Sequence, residues 1–300
     1  MCSQFRNFLG IYEKSLPDTL KLREKIQLFK KAGYHCFELS IDESDKRINR
    51  VNWSKEQIEA FIGLMQEEEF YSYSICLSAN RKYPIGDQDA GIRNRGVELI
   101  QKAVDFSLKV GIRVILIPGY DTYYRNGNGE TKKLFLNSLD KVVQYAAGRG
   151  VILALENIEK PFMNSVDAAM EYIKEIPTPY LQCYVDPGNM VAAGIEDLIG
   201  QVQRAKGHIA AIHLKDGRWG EFKNVHYGSG KVDFVNLFQS LAGSPLPLCT
   251  AEVNALASEQ ESYENILYVR TFLEAQYQQA KKKGGASFCS IQDAAEWQQH

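Results

Sequence analysis

Four apolar runs decide the fold: VILALEN at 151–157, LQCYVDPGN at 181–189, HIAAIHLKD at 208–216 and LPLCTAEVN at 246–254. Each is strand-length, turns abruptly polar at its end, and is separated from the next by a longer stretch of helical periodicity. An apolar run without alternation suits a strand covered on both faces, the situation of a parallel sheet flanked by helices. IRVILIPG at 112–119 has the same character.

The same alternation continues towards the N-terminus. A first strand is expected near Asn7–Tyr12, then a helix over about Thr19–Ala32 that Gly33 stops. A second strand spans about His35–Ile41, and Ser54 with Gln57 forms the S-x-x-Q pattern that opens the next helix. The third strand, near Tyr73–Ser78, leads to a helix over about Gly91–Val110, with Val97, Ile100, Val104 and Leu108 on one face and Gly111 at its end. After the fourth strand, Phe135, Leu139, Val142 and Ala146 stripe a helix over about Thr131–Ala147. The last helix covers about Ser262–Lys282. Eight strand–helix units predict a single-domain α/β (β/α)8 TIM barrel over 1–283, with 284–300 as a C-terminal tail. The competing arrangement, an open doubly wound sheet, is disfavoured because no G-x-G-x-x-G follows the first strand.

Composition narrows the function. The 300 residues carry 35 Lys+Arg against 37 Asp+Glu, a net charge of −2, and 45% of them are apolar, enough for a sizeable core. Such a balance lacks the positive field that nucleic acid or an anionic membrane selects. No run reaches the ~18–20 apolar residues of a membrane helix, and the first residues lack a secretory h-region. The six cysteines form no C-x-x-C pair, so they read as reduced, buried thiols. A cytoplasmic enzyme with a small-molecule substrate is expected, and a homodimer by analogy with other barrel enzymes.

In such a barrel the chemistry projects from the C-terminal ends of the strands. Those positions hold Glu156, Asp186, His213 and Glu252 on four successive strands. A lone strand-end carboxylate is usually a solvated loop residue, and a lone strand histidine is usually a core group. Four in phase are not explained that way. Three carboxylates and an imidazole, on strands ~4.8 Å apart, suit one divalent cation such as Mn2+, Mg2+, Co2+ or Zn2+.

The motifs IYEKSLP, FELSIDESDKRINR, CLSANRKYPIG, GIRVILIPGYD, MNS, DPGN, HLKDG and FKNVHYGSGKVDF, in this order over about 7–275, resemble the L-ribulose-5-phosphate 3-epimerase family of xylose-isomerase-like barrels. Members of that family are also described as L-xylulose-5-phosphate 3-epimerases or hexulose-6-phosphate isomerases. The resemblance implies that Glu156, Asp186, His213 and Glu252 hold one divalent metal, with Zn2+ or Mn2+ expected first. It also implies that Glu156 and Glu252 are the catalytic acid/base pair. Two positions depart from the family pattern: Gly-Ser-Gly stands for Gly-Glu-Gly at 228–230, and Asn80 stands where histidine is expected.

The implied reaction is 3-epimerisation of a ketose phosphate, L-ribulose 5-phosphate to and from L-xylulose 5-phosphate. The proton α to the C2 carbonyl is too weakly acidic for a bare carboxylate, so an ion bridging O2 and O3 would stabilise a cis-enediolate. Inversion needs a second group on the opposite face, hence two glutamates. Asn189, Lys215 and Glu159 are candidate substrate contacts. Lys223, Asn224 and Ser229 are candidate phosphate contacts, and Arg81 with Lys82 is a second anion-binding possibility. Glu13 and Glu38 are expected to point towards the mouth, Asp216 to be a turn residue, and Tyr120–Tyr124 to form a lid or an oligomer contact.

Rival readings are a hexulose-6-phosphate (aldose–ketose) isomerase, a metal-dependent apurinic endonuclease and a non-catalytic sugar-phosphate regulator. The nuclease needs several more histidines at the mouth than His213 alone. The regulator has no use for paired glutamates.

Overall fold

The computed structural model describes residues 9–242 and 247–284. Eight parallel strands close in sequence order: β1 Leu9–Tyr12, β2 Cys36–Ser40, β3 Tyr71–Cys76, β4 Val114–Pro118, β5 Ile152–Glu156, β6 Leu181–Val185, β7 Ile209–Leu214 and β8 Leu248–Ala251. β8 pairs with β1, Ile11 lying opposite Ala251, so no sheet edge remains. The (β/α)8 barrel expected from the sequence is the fold observed. The helices are α1 Leu22–Lys31, α2 Asp45–Ile48, α3 Lys55–Glu68, α4 Ala90–Lys109, α5 Gly129–Ala147, α6 Val166–Glu175, α7 Pro187–Ala192, α8 Leu198–Arg204, α9 Phe234–Ser240 and α10 Glu259–Gly284. None of them is long and apolar enough to cross a membrane.

Local chemistry explains the boundaries. Gly33 and Gly111 adopt φ of 89° and 80° just past α1 and α4, a region an L-residue resists. Ser54 and Gln57 form the capping box of α3 as the sequence suggests. Asn7 and Phe8, Cys2, Cys289 and the expected tail beyond Gly284 lie outside the described residues. Cys36, Cys76, Cys183 and Cys249 are free thiols, and burial pushes those of Cys183 and Cys249 up to about 12.

Most of the apolar core lies between sheet and helices, where Phe29, Phe37, Phe106, Phe135, Leu153 and Phe238 are fully buried. A smaller set fills the barrel interior: Tyr12, Cys76, Val114, Leu116, Ala154, Tyr184 and Ala211. Interior and exterior follow from the period-two alternation of each strand.

Glu13 does not face the mouth as expected. Its carboxylate takes two bonds from Arg50, at 2.5 and 2.7 Å, and one from Ser40 N at 2.8 Å. Arg50 holds it below the usual carboxylate range against the opposing effect of burial. Arg47 bridges Asp18 and Asp42, and Asp42 accepts from Lys14 at 2.9 Å. This network, buried at Glu13, Arg47 and Arg50 and open at Asp18, fastens the loops after β1 and β2, and with them Lys14, to the rim. Glu38 also differs: it is two residues short of the end of β2 and fully buried inside the barrel.

Replacing Arg50 by Met would leave the Glu13 carboxylate buried without its partner. Urea unfolding should show a loss of about 3–5 kcal/mol, and a loss under ~1 kcal/mol would mean that the network contributes little.

Candidate active site

Glu156 closes β5, Asp186 follows β6, His213 is the penultimate residue of β7, and Glu252 follows β8. Parallel register sets them at one level: Glu156 lies opposite Tyr184, and His213 opposite Thr250. One donor atom from each of the four lies within 4.8 Å of the other three. Ligands about 2.1 Å from a common ion sit ~3.4–4.2 Å apart, so modest contraction completes such a shell.

Two glycines let the turns approach. A Cβ on Gly188 would stand 2.9 Å from the Lys215 carbonyl oxygen, and one on Gly217 would collide with the Gly188 carbonyl. DPGN and HLKDG therefore pack backbone to backbone, which brings Asp186 beside Lys215. Asn157, which the sequence reading did not single out, ties β5 to β6. Its Nδ2 donates to the Asp186 carbonyl at 2.7 Å, and its Oδ1 accepts from Asp186 N at 2.9 Å. The only sequence signal for it was its place after Glu156 in VILALEN.

The charges are compensated internally. His213 Nδ1 lies 2.9 Å from Glu156 Oε1 and 3.4 Å from Glu252 Oε2. Lys215 Nζ lies 2.6 Å from Asp186 Oδ2 and 2.8 Å from Glu252 Oε2. Burial raises the Asp186 carboxyl to about 7, with Glu252 and Glu156 adding to the rise and Lys215 opposing it. Burial acts likewise on Glu252, but Lys215 and His213 prevail and hold it down at about 2. For His213 burial favours the neutral ring, yet Glu252 and Glu38 outweigh it and carry the group well above its ordinary value. Asp186 Oδ2 is buried with no well-directed hydrogen bond, a donor atom suited to a cation. The hard, oxygen-rich donor set fits a divalent metal.

Above this cluster opens a cavity of about 360 Å³, whose walls include Tyr12, Lys14, Arg81, Glu159, Asn189 and Asn224. Glu156, Glu252, Lys215 and Lys223 also line it. Every substrate candidate from the sequence therefore faces the cavity: Asn189, Lys215 and Glu159. Asn189 Oδ1 is buried there without a partner, while its Nδ2 donates to the Asn157 carbonyl.

The phosphate candidates divide. Lys223 and Asn224 reach the cavity; Ser229 does not line it, and its hydroxyl donates to the His226 carbonyl at 2.6 Å. The amides of Gly228, Gly230 and Val232 donate to the Asp216 carboxylate, so this glycine turn has its donors committed internally. Asp216 is thus the turn residue expected, not a fifth ligand. Lys82 is on the surface near Asp45, whereas Arg81 turns inward. Tyr120 and Tyr123 wall the cavity in edge-to-face contact, and Tyr124 is exposed beyond them. A larger hollow of about 830 Å³ lies behind that tyrosine wall, without the carboxylate–histidine cluster.

Comparison with known proteins agrees with this geometry. A family model described as xylose isomerase-like TIM barrel matches residues 26–270. The chain is 42% identical over 236 residues to L-ribulose-5-phosphate 3-epimerase UlaE of Escherichia coli strain K12 / DH10B, covering 79% of this chain and 83% of that protein. The UlaE protein of Escherichia fergusonii is equally similar, at 42% identity. Among solved structures, apo 3-keto-D-glucoside 4-epimerase YcjR from E. coli superposes with a TM-score of 0.70 at 21% identity, covering 88% of this chain and 98% of that one. An L-ribulose 3-epimerase superposes with a TM-score of 0.70 at 17% identity, covering 93% and 97%. A Mycobacterium smegmatis barrel protein solved with magnesium gives 0.68 at 14% identity, covering 92% and 100%. The chain belongs to the xylose isomerase-like TIM barrel family and is, like its relatives, a carbohydrate epimerase.

Proposed function

We propose that the protein epimerises C3 of a ketose 5-phosphate, interconverting L-ribulose 5-phosphate and L-xylulose 5-phosphate, with one divalent ion, Zn2+ or Mn2+ first. The observation that carries this is the pairing of Glu156 and Glu252 on two walls of one cavity, joined to His213 and Asp186 in a single donor cluster. The relatives at 42% identity are named for that phosphorylated pentulose. When bound, the ion supplies the electrophile that polarises the C2 carbonyl and offsets charge developing on its oxygen.

The chain's own groups do the proton work. A carboxylate has two oxygens, so each glutamate can give one to the cluster and keep the other for the substrate. One glutamate takes the C3 proton from one face of the sugar, and the other returns a proton from the opposite face. Lys215, between Asp186 and Glu252, keeps Glu252 ionised and ready to accept a proton. The unpartnered Asn189 Oδ1 receives a substrate hydroxyl, and Glu159 is placed for another.

Anchoring the phosphate requires cations not already paired. Arg81 is such a group. Its Nε donates to Tyr120 Oη at 2.9 Å, its guanidinium lies 5.9 and 5.2 Å from the Tyr120 and Tyr123 rings, and it lines the cavity. Among the described residues no carboxylate forms an ion pair with it. A guanidinium withdrawn from water against phenol rings calls for an anion. Lys223 and Asn224 offer a second anchor on another wall.

Glu156→Gln and Glu252→Gln should each lower turnover by at least ~10²-fold while the barrel stays folded. Exchange of the C3 proton in heavy water checks this, and wild-type exchange in either variant removes that glutamate from the mechanism. Chelation should abolish turnover, and a single divalent ion should restore it. Because burial raises the Asp186 carboxyl to about 7, and the neighbouring carboxylates carry His213 above its ordinary value, ion binding must displace protons. Affinity should therefore climb between about pH 6 and pH 8; calorimetry showing a flat profile would mean that the ligands are already deprotonated.

Arg81→Gln should raise KM for the 5-phosphate by ~10–100-fold, the worth of charge-assisted hydrogen bonds. KM for the unphosphorylated ketose should hardly change. Lys223→Ala, run in parallel, shows which wall bears the phosphate, and equal effects on both sugars would place it elsewhere.

A further inference from the structure

Glu38 has no role in the proton transfers above, yet it is among the most completely satisfied side chains in the barrel. It is fully buried, and its Oε1 lies 2.8 Å from His213 Nε2. Its other oxygen, Oε2, accepts from Ser74 Oγ at 2.6 Å and from Tyr184 Oη at 2.7 Å. Ser74 and Tyr184 are themselves fully buried, and Tyr184 continues to Thr250 at 3.1 Å and, through Thr250, to Tyr73. A carboxylate in the axis of a barrel, holding three hydrogen bonds and no solvent, is costly to place there unless something depends on it.

The opposite nitrogen of the His213 ring shows what that is. Nδ1 faces Glu156 and Glu252, the donor cluster, whereas Nε2 faces Glu38. A neutral imidazole has one N–H and one lone pair. A histidine that ligates a metal is neutral, and an ionised carboxylate can only accept, so in that state a hydrogen on Nε2 towards Glu38 leaves the lone pair on Nδ1, aimed at the cluster. We infer that Glu38 is a positioning residue for the divalent ion: it fixes the tautomer and rotation of His213 so that Nδ1 is the ligand atom. This rests on the reading that Glu156, Asp186, His213 and Glu252 hold a metal.

The two hydroxyls give the idea a signature of its own. Both donate to Oε2, so a glutamine at 38 presents its carbonyl to Ser74 and Tyr184 and its NH2 to His213. Nε2 must then accept, the proton moves to Nδ1, and the ligand lone pair is lost. Removing the two hydroxyl donors as well frees the amide to turn over and restores an acceptor to Nε2.

The test uses the full-length, metal-free protein and measures binding of Mn2+ and Zn2+ by competition with a chromophoric chelator, independently of turnover. Glu38→Gln should weaken binding ~10–100-fold, the usual scale for a partner of a ligating histidine. Nitrogen-15 shifts of His213 in its neutral form should report Nδ1–H. Adding Ser74→Ala and Tyr184→Phe to Glu38→Gln should recover much of the lost affinity. Unchanged affinity in Glu38→Gln overturns the inference, and so does a triple variant weaker than the single one, because a merely structural carboxylate predicts accumulating damage. If the unaltered protein binds no divalent ion in one-to-one ratio, the metal reading itself falls, and that result is visible before any variant is made.

Discussion

Negative charge gathered out of water is the constraint on which the rest of this structure depends. Glu38, Glu156, Asp186 and Glu252 surround one imidazole at the barrel rim, and the first three are buried. Like charges at such separations repel strongly in a poorly polarisable interior. The barrel keeps them together because each sits on, or just after, a different strand, and strand spacing is set by the backbone ladder. His213 and Lys215 supply the compensating positive charge. The arrangement is folded and satisfied, yet it favours any species that delivers more positive charge at that point.

A division of labour along the barrel follows. The apolar mass that drives folding lies between the sheet and the helices, away from the chemistry. The interior is thinner in apolar groups and carries a hydroxyl column of Tyr184, Thr250 and Tyr73 beneath Glu38. Polar groups are tolerated in that column because each finds a partner, and those partners hold Glu38, hence His213, in one orientation. Tyr12 and Tyr184 flank the His213 ring at centroid distances of 6.4 and 4.5 Å.

Above the cluster the mouth is built by loops. The cavity walls come from the segments after β1, β3, β4, β5 and β7, which contribute Lys14, Arg81, Tyr120 with Tyr123, Glu159 and Lys223. Structures sharing the barrel at 21% identity or less carry names for different sugars. One barrel can carry sites for different substrates, because the fold does not by itself set the function. An unpaired arginine on an aromatic shelf is a feature of this chain's mouth and needs no change in the cluster below it.

The sequence by itself determined the barrel and the four-residue cluster, because both are encoded as phase. An apolar run of fixed period followed by one polar residue, repeated on consecutive strands, fixes depth and face together. VILAL-Glu156, LQCYV-Asp186, AAI-His213 and LCTA-Glu252 needed no knowledge of contacts. Tertiary structure alone decided the fate of groups whose meaning lies in their partners. Glu13 was legible as a strand-end acid, but Arg50, 37 residues away, claims it. Glu38 reads as one more rim carboxylate until His213, 175 residues on, is found 2.8 Å from it. The Gly228–Gly230 turn looked like an anion cradle, yet Asp216 consumes its amides, and Arg81 in a plain two-charge loop is a cavity cation that no described carboxylate pairs. Periodicity carries the direction of a side chain. Its protonation state, its competitors and its unspent hydrogen bonds are set by residues that only folding brings alongside.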